Sequence, residues 1–256
     1  MDPVTLLGFV ISMAALLLFM VLEGADPMSL LFLPAIVLVI VATFGAALAS
    51  QTMNDLKKLP LWFKMGLLPA KVAPPTQQIQ TLVSLAEKAR KEGLLALEAQ
   101  VKAIEDPFLK RGLQMGIDGT DPEELRTVLE GEISAKKSED KVAAKFFNAM
   151  GGYSPTIGII GCVVGLMNVM GNLSDPEAIG PMIAAAFVAT LWGVMAANFW
   201  FLPMGAKILR VSELQAAQME LLVEGIAEIQ AGTSPRAVRQ KLNALVPPSE
   251  LAKDAA

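Results

Sequence analysis

Four stretches of the chain run for about the length of a bilayer crossing without a charged residue. The first covers Pro3 to Leu22 and the second Met28 to Ser50; a third covers about Tyr153 to Gly171 and a fourth about Met182 to Ala206. A helix rises about 1.5 Å per residue, so 20 residues cross the roughly 30 Å hydrocarbon core. The turns inside each pair, Glu23 to Pro27 and Asn172 to Glu177, are short, so the helices are predicted to form two hairpins. A cleaved leader is not expected, because no Lys or Arg precedes the first run and no A-x-A site follows it.

Between the hairpins, about Asn54 to Lys145, the pattern changes to polar with apolar residues at spacings of three and four. Ile79, Leu82, Val83 and Ala86, then Leu94, Leu97, Val101 and Ile104, predict a helix that Asp106-Pro107 ends. Pro122 is placed to start another, carrying Leu125, Val128, Leu129 and Ile133. Past the fourth run, Leu214, Leu221, Leu222, Ile226 and Ile229 continue a long amphipathic helix from Lys207 to Gln230. Gly232 to Pro235 stops it, and Ser234 caps a last short helix. The chain from Val246 onward is expected to be loose. No strand alternation is seen. The expected class is all-α: transmembrane hairpins over 1–52 and 147–206, a cytoplasmic helical domain over 53–146, and a cytoplasmic helix and tail over 207–256.

Charge orients this arrangement. Of the 21 Lys and Arg, 15 lie between Gln51 and Met150 and 6 lie after Ala206, while the two hairpin turns hold only Glu23, Asp26, Asp175 and Glu177. The positive-inside rule places the middle segment and both termini in the cytoplasm. With a hydrophobic fraction of 54% and a mean hydropathy of +0.51, the chain is a lipid-bilayer protein. It has no His and one Cys, Cys162, so no zinc site, Cys-His dyad or disulfide can be built. No bulk basic character suits nucleic acid, and the same absences argue against a membrane enzyme.

None of the four spans holds an ionisable residue, although ion pathways usually carry one. Either a partner supplies the titrating carboxylate or the helices only anchor the protein. Gly158, Gly161 and Gly165, three and four residues apart, form a groove for a close helix contact, either with another chain or with this chain's own helices. Thr190 and Cys162 are the small polar candidates for lining a path, although a membrane Thr more often bonds a carbonyl of its own helix.

Three segments together, Ser154 to Leu166, Phe187 to Gly193, and Ala89-Arg90-Lys91-Glu92-Gly93-Leu94-Leu95-Ala96-Leu97-Glu98, resemble the MotA/PomA family. The turn Val21-Leu22-Glu23-Gly24 is similar too. These proteins are the ion-channel subunits of the bacterial flagellar stator, related to the ExbB and TolQ energisers. The likeness runs from the first span to about Leu245. It implies a homopentamer around a single-span, peptidoglycan-anchored partner of the MotB/PomB kind, whose Asp binds the ion, in the bacterial inner membrane and with no cofactor. It also implies that Arg90 and Glu98 contact the rotor protein FliG. Pro155 and Pro203 match positions that couple ion passage to movement.

On one unbroken helix Arg90 would fall in line with Ala86 and Leu94. Either Gly93 interrupts that helix or Arg90 is partly buried. Sodium-type members carry Thr where this chain has Cys162, and a thiol is a poor ligand for a hard cation. Proton coupling is therefore expected, with sodium as the alternative; sodium would need backbone carbonyls or Thr156 as further ligands. An ExbB/TolQ-type energiser of another envelope machine is the competing reading, but those relatives have one span before the cytoplasmic segment and this chain has two.

Overall fold

The computed structural model describes residues 2–70 and 72–251. Every regular element among them is helical. The α-helices are α1 Pro3–Leu22, α2 Leu33–Ala49, α3 Met53–Leu56, α4 Leu59–Leu67, α5 Pro75–Glu92, α6 Glu98–Ala103, α7 Pro107–Ile117, α8 Pro122–Gly171, α9 Pro176–Met195, α10 Leu202–Gln230, α11 Pro235–Ala244 and α12 Pro248–Leu251. Short 3-10 turns cover Pro27–Leu30 and Leu94–Leu97, and a π-helical stretch, Ala196–Phe201, joins α9 to α10. Among the described residues, four helical segments are long and apolar enough to cross a membrane, in the order predicted.

Polar caps set the helix starts. The Asp2 side chain accepts from the Val4 N–H, Asp106 from those of Phe108 and Leu109, Asp121 from that of Glu123, and Ser234 from that of Ala237. Each cap precedes a Pro in the first helical position, where its missing N–H costs nothing. The predicted turn at Asn172 to Glu177 is two residues shorter at its end, because Pro176 already starts α9.

Contacts group the helices into two units, residues 2–70 with 140–210 and residues 72–139 with 211–251, each described by itself. These divisions differ from the expected boundaries at 52, 146 and 206. In the first unit α4 belongs with the membrane hairpins, because Trp62 and Phe63 pack against Phe146 and Phe147 of α8, with ring centroids 5.2–6.4 Å apart. Val39, Ala47, Met204 and Ile208 complete that core. Apolar side chains cover the rest of these helices outwardly, with Leu7, Ile11, Val37, Val41, Val163 and Met167 exposed, as bilayer contact requires.

The second unit has a separate core in which Leu82, Leu97, Leu113, Leu125, Leu129, Ile226 and Leu242 are buried. Gly112 and Gly225 admit Ile226 and Leu82 respectively; an added Cβ would lie 2.5 Å from each of those side chains. The structure corrects the expectation for the tail. Val246 is buried in this core and Pro248–Leu251 is helical, so the chain is ordered past Val246; residues 252–256 lie outside the described residues. Residues predicted as separate elements, the stripe Leu125 to Ile133 and the third span, form one helix of 50 residues, α8.

Candidate functional site

The glycines of the third span meet α9. A Cβ on Gly158 would lie 2.8 Å from the Ala189 carbonyl oxygen and 3.1 Å from the Cα atoms of Thr190 and Gly193. Gly193 is the reciprocal position, 2.6 Å from the Ser154 carbonyl oxygen and 3.0 Å from the Gly158 Cα. Gly165 faces Ala186, while Gly161 faces both Ala189 and Leu38 of α2. The groove is therefore filled within the chain, and the helices touch backbone to backbone, as small residues permit in a bilayer where hydrophobic drive between helices is absent.

Two hydroxyls bridge the same contact. Ser154 is fully buried and its Oγ donates to the Gly193 carbonyl at 2.9 Å. Thr190 Oγ1 donates to the Gly158 carbonyl at 3.4 Å. Thr190 thus bonds across the interface rather than to its own helix, against the usual habit of a lone membrane Thr. Thr156 follows that habit, donating to the Tyr153 carbonyl at 2.8 Å. Cys162 is a free thiol, half-buried, without a hydrogen bond among the described residues. The residues therefore separate. Thr190 joins the α8–α9 contact, Cys162 lies one turn beyond Gly158 on α8, and Thr156 is exposed.

Pro155 lies within this contact, and Pro203 lies just past Leu202, which packs at the Pro155 end of it. Pro155 sits inside α8, its Cα 3.2 Å from where a Gly193 Cβ would be. Gly151, whose carbonyl loses its helical donor to Pro155, meets Leu202, the neighbour of Pro203. Between Gly193 and Leu202 the chain runs through the π stretch, where the Leu202 N–H reaches the Ala197 carbonyl. Single π turns often mark functional positions in helices. The π stretch was invisible to periodicity. So was Trp192, whose indole N–H donates to the Leu30 carbonyl at 2.7 Å and whose ring lies 5.8 Å from that of Trp200. Ser154 carried a readable signal: a hydroxyl in an apolar span must find a partner.

A cavity of about 710 Å³ opens between α2, α8 and α9, with Asn168 the single polar side chain among its lining. No group of His, Cys, Asp or Glu able to hold a metal occurs among the described residues. The membrane segments thus offer hydroxyls, carbonyls and the Cys162 thiol but no carboxylate, ammonium, guanidinium or imidazole group of their own.

In the second unit Gly93 ends α5. Its φ of +87° and ψ of 161° suit glycine alone, and its N–H closes the helix on the Ala89 carbonyl at 2.8 Å. The buried stripe of α5 is Ile79, Leu82, Leu85, Ala86 and Ala89. Arg90 falls just off it and is exposed, which resolves the two readings in favour of an interrupted helix. Glu98 begins α6 beyond the 3-10 turn and is exposed as well. Neither makes an ion pair among the described residues. Nearby, Lys91 pairs with Glu87 one turn earlier on α5 at 2.6 Å, and its hydrogen bond holds the Glu87 carboxyl below its usual range.

Residues 100–221 match the sequence model of the MotA/TolQ/ExbB proton channel family. Motility protein A of Bacillus subtilis (strain 168) is 32% identical over 99% of this chain and 94% of its own length. The C. jejuni MotAB structure superposes with a TM-score of 0.92 at 29% identity, covering 97% of both chains. The flagellar MotAB stator complex from Bacillus subtilis gives 0.91 at 32% identity, covering 98% of both. The chain belongs to the MotA/TolQ/ExbB proton channel family. Within it the chain is an ion-channel, torque-generating subunit of the flagellar stator, a membrane protein and not an enzyme.

Proposed function

We propose that this chain conducts protons along α8 and α9 beside a MotB-like single-span subunit, and that the partner supplies the titrating Asp. The observation that carries this reading is chemical. Every apolar span lacks Asp, Glu, Lys, Arg and His, while Thr190 Oγ1 and the Gly158 carbonyl lie at a backbone-to-backbone helix contact. A proton needs one carboxylate and hydrogen-bonding groups, whereas dehydrated sodium needs several oxygens, and Cys162 offers sulfur in place of one. The complex sits in the bacterial inner membrane, with both termini cytoplasmic and this subunit as a homopentamer. Arg90 and Glu98, exposed on either side of the Gly93 break, press on charges of FliG, and Pro155 and Pro203, at one end of the α8–α9 contact, couple ion passage to its movement. Swimming in sodium-free medium that a protonophore stops is the expected result. Swimming that requires sodium and survives the protonophore would overturn proton coupling.

A further inference from the structure

We propose that the stretch from Met53 to Leu68 is a docking surface for anionic phospholipid at the inner face of the membrane. The backbone at Lys57 and Lys58 stays in the right-handed helical region, so α3 and α4 follow one another in near-helical register. One face turns inward: Leu59, Trp62 and Gly66 are buried, with Phe63 half-buried beside them. The opposite face carries Met53, Leu56, Lys57, Leu61, Lys64 and Leu68, again at helical spacing. All six are exposed, Met53 by 76% and Leu61 by 53%. A helix apolar on both faces is ordinarily buried or in contact with lipid. Here the outer face alternates leucines with lysines, the composition that seats a helix at the boundary of headgroups and acyl chains. The lysine stems lie along the apolar surface while the ammonium groups reach phosphate.

A second set of contacts fixes the depth of this surface independently. The Asp2 N–H donates to the Leu67 carbonyl at 2.9 Å. Lys207 donates to the Leu68 carbonyl at 3.2 Å and pairs with Asp2 at 2.7 Å. Asp2 is the cap of α1, so the end of α4 is held where the first membrane helix starts. The single acid of the stretch, Asp55, is turned back onto Thr52, accepting from its hydroxyl at 2.6 Å and from its N–H at 3.1 Å. Three lysines against one aspartate leave the stretch positive, which matches the anionic inner leaflet. The inference rests on the inward placement of the middle segment proposed above.

The test uses the full chain with its single-span partner in lipid nanodiscs, in a Cys162→Ser background. A fluorescent probe is attached at Leu61→Cys or, as an aqueous reference, at Leu245→Cys in the second unit. Nitroxide lipids labelled near the headgroup should quench the Leu61 probe and leave the Leu245 probe unaffected. Phosphatidylglycerol discs should melt higher than phosphatidylcholine discs, and Lys57→Gln with Lys64→Gln should abolish that difference while Lys57→Arg with Lys64→Arg retains it. Quenching of the Leu61 probe by iodide in place of lipid would overturn the proposal. So would quenching by neither, since another protein surface would then cover the face, and so would a phosphatidylglycerol shift that survives the Gln pair. Failure of the inward placement is told apart by a reporter fusion after Lys102, which would then report the periplasm.

Discussion

The hydroxyl of Ser154 donates a 2.9 Å hydrogen bond to the carbonyl of Gly193, and the absence of a side chain on Gly193 is what lets the two helices come that close. The same carbonyls that a proton path would use are therefore structural partners of the α8–α9 contact. Removing the Ser154 hydroxyl should cost about 1 kcal/mol, the ordinary worth of one such bond, seen as a small fall in the melting temperature of the purified complex.

Enlarging the glycines should have graded effects. Gly158→Val drives a side chain into backbone atoms, which cannot move aside, and should cost on the order of 3 kcal/mol or more. Gly161→Leu meets Leu38 Cδ2 and the Ala189 methyl, and Gly165→Ala meets the Ala186 methyl. Size-exclusion and melting of purified complexes should rank Gly158 as the most sensitive. Unchanged size and melting for Gly158→Val would show that this contact is not the one that holds the helices.

At the proposed rotor contact, charge and backbone separate cleanly. Arg90→Glu alters an exposed group, so the complex should assemble and melt normally while motility is lost or weakened. A reversed charge on FliG should partly restore swimming. Gly93→Ala instead forces a φ of +87° on a residue with a Cβ and should destabilise the second unit by about 1–3 kcal/mol. Its motility defect should not respond to any charge change on the rotor.

Acid should loosen the junction of α10 and α11. Burial penalises the charged form of Glu228, but hydrogen bonds from Lys241 and Thr233, with the charges of Lys241 and Arg126, outweigh that penalty and hold the carboxyl below its usual value of 4.5. A depressed folded value stabilises the protein above the unfolded value, and that stability is lost as pH falls through the folded one. Unfolding midpoints should therefore drop below about pH 4.5. Glu228→Gln should flatten that part of the profile.

Lys207 ties three segments together: Asp2 at 2.7 Å, Thr5 Oγ1 at 2.9 Å and the Leu68 carbonyl at 3.2 Å. Lys207→Met should lower the melting temperature and speed hydrogen exchange at the start of α1. Unaltered exchange at residues 4–8 would show that the cap at Asp2 suffices alone.

By itself the sequence determined the four crossings, the helical character of the intervening segment and the absence of membrane acids. Those are properties of local runs, since apolar length and cap-plus-Pro signals act within a few residues. It also singled out Gly158, Gly161, Gly165, Thr190, Arg90 and Glu98 as candidate residues. Only the tertiary structure decided what each one touches. Periodicity cannot tell which neighbour fills a glycine groove, so the meeting of α8 with α9 had to be seen. Nor could it distinguish a buried Arg90 from an exposed one, because a single positive φ at Gly93 ends α5 and removes Leu94 from Arg90's helical face. The placement of α4 followed from aromatic packing between Trp62 and Phe146, 84 residues apart in sequence. Contacts of that range depend on how the whole chain returns on itself, and no local window contains them.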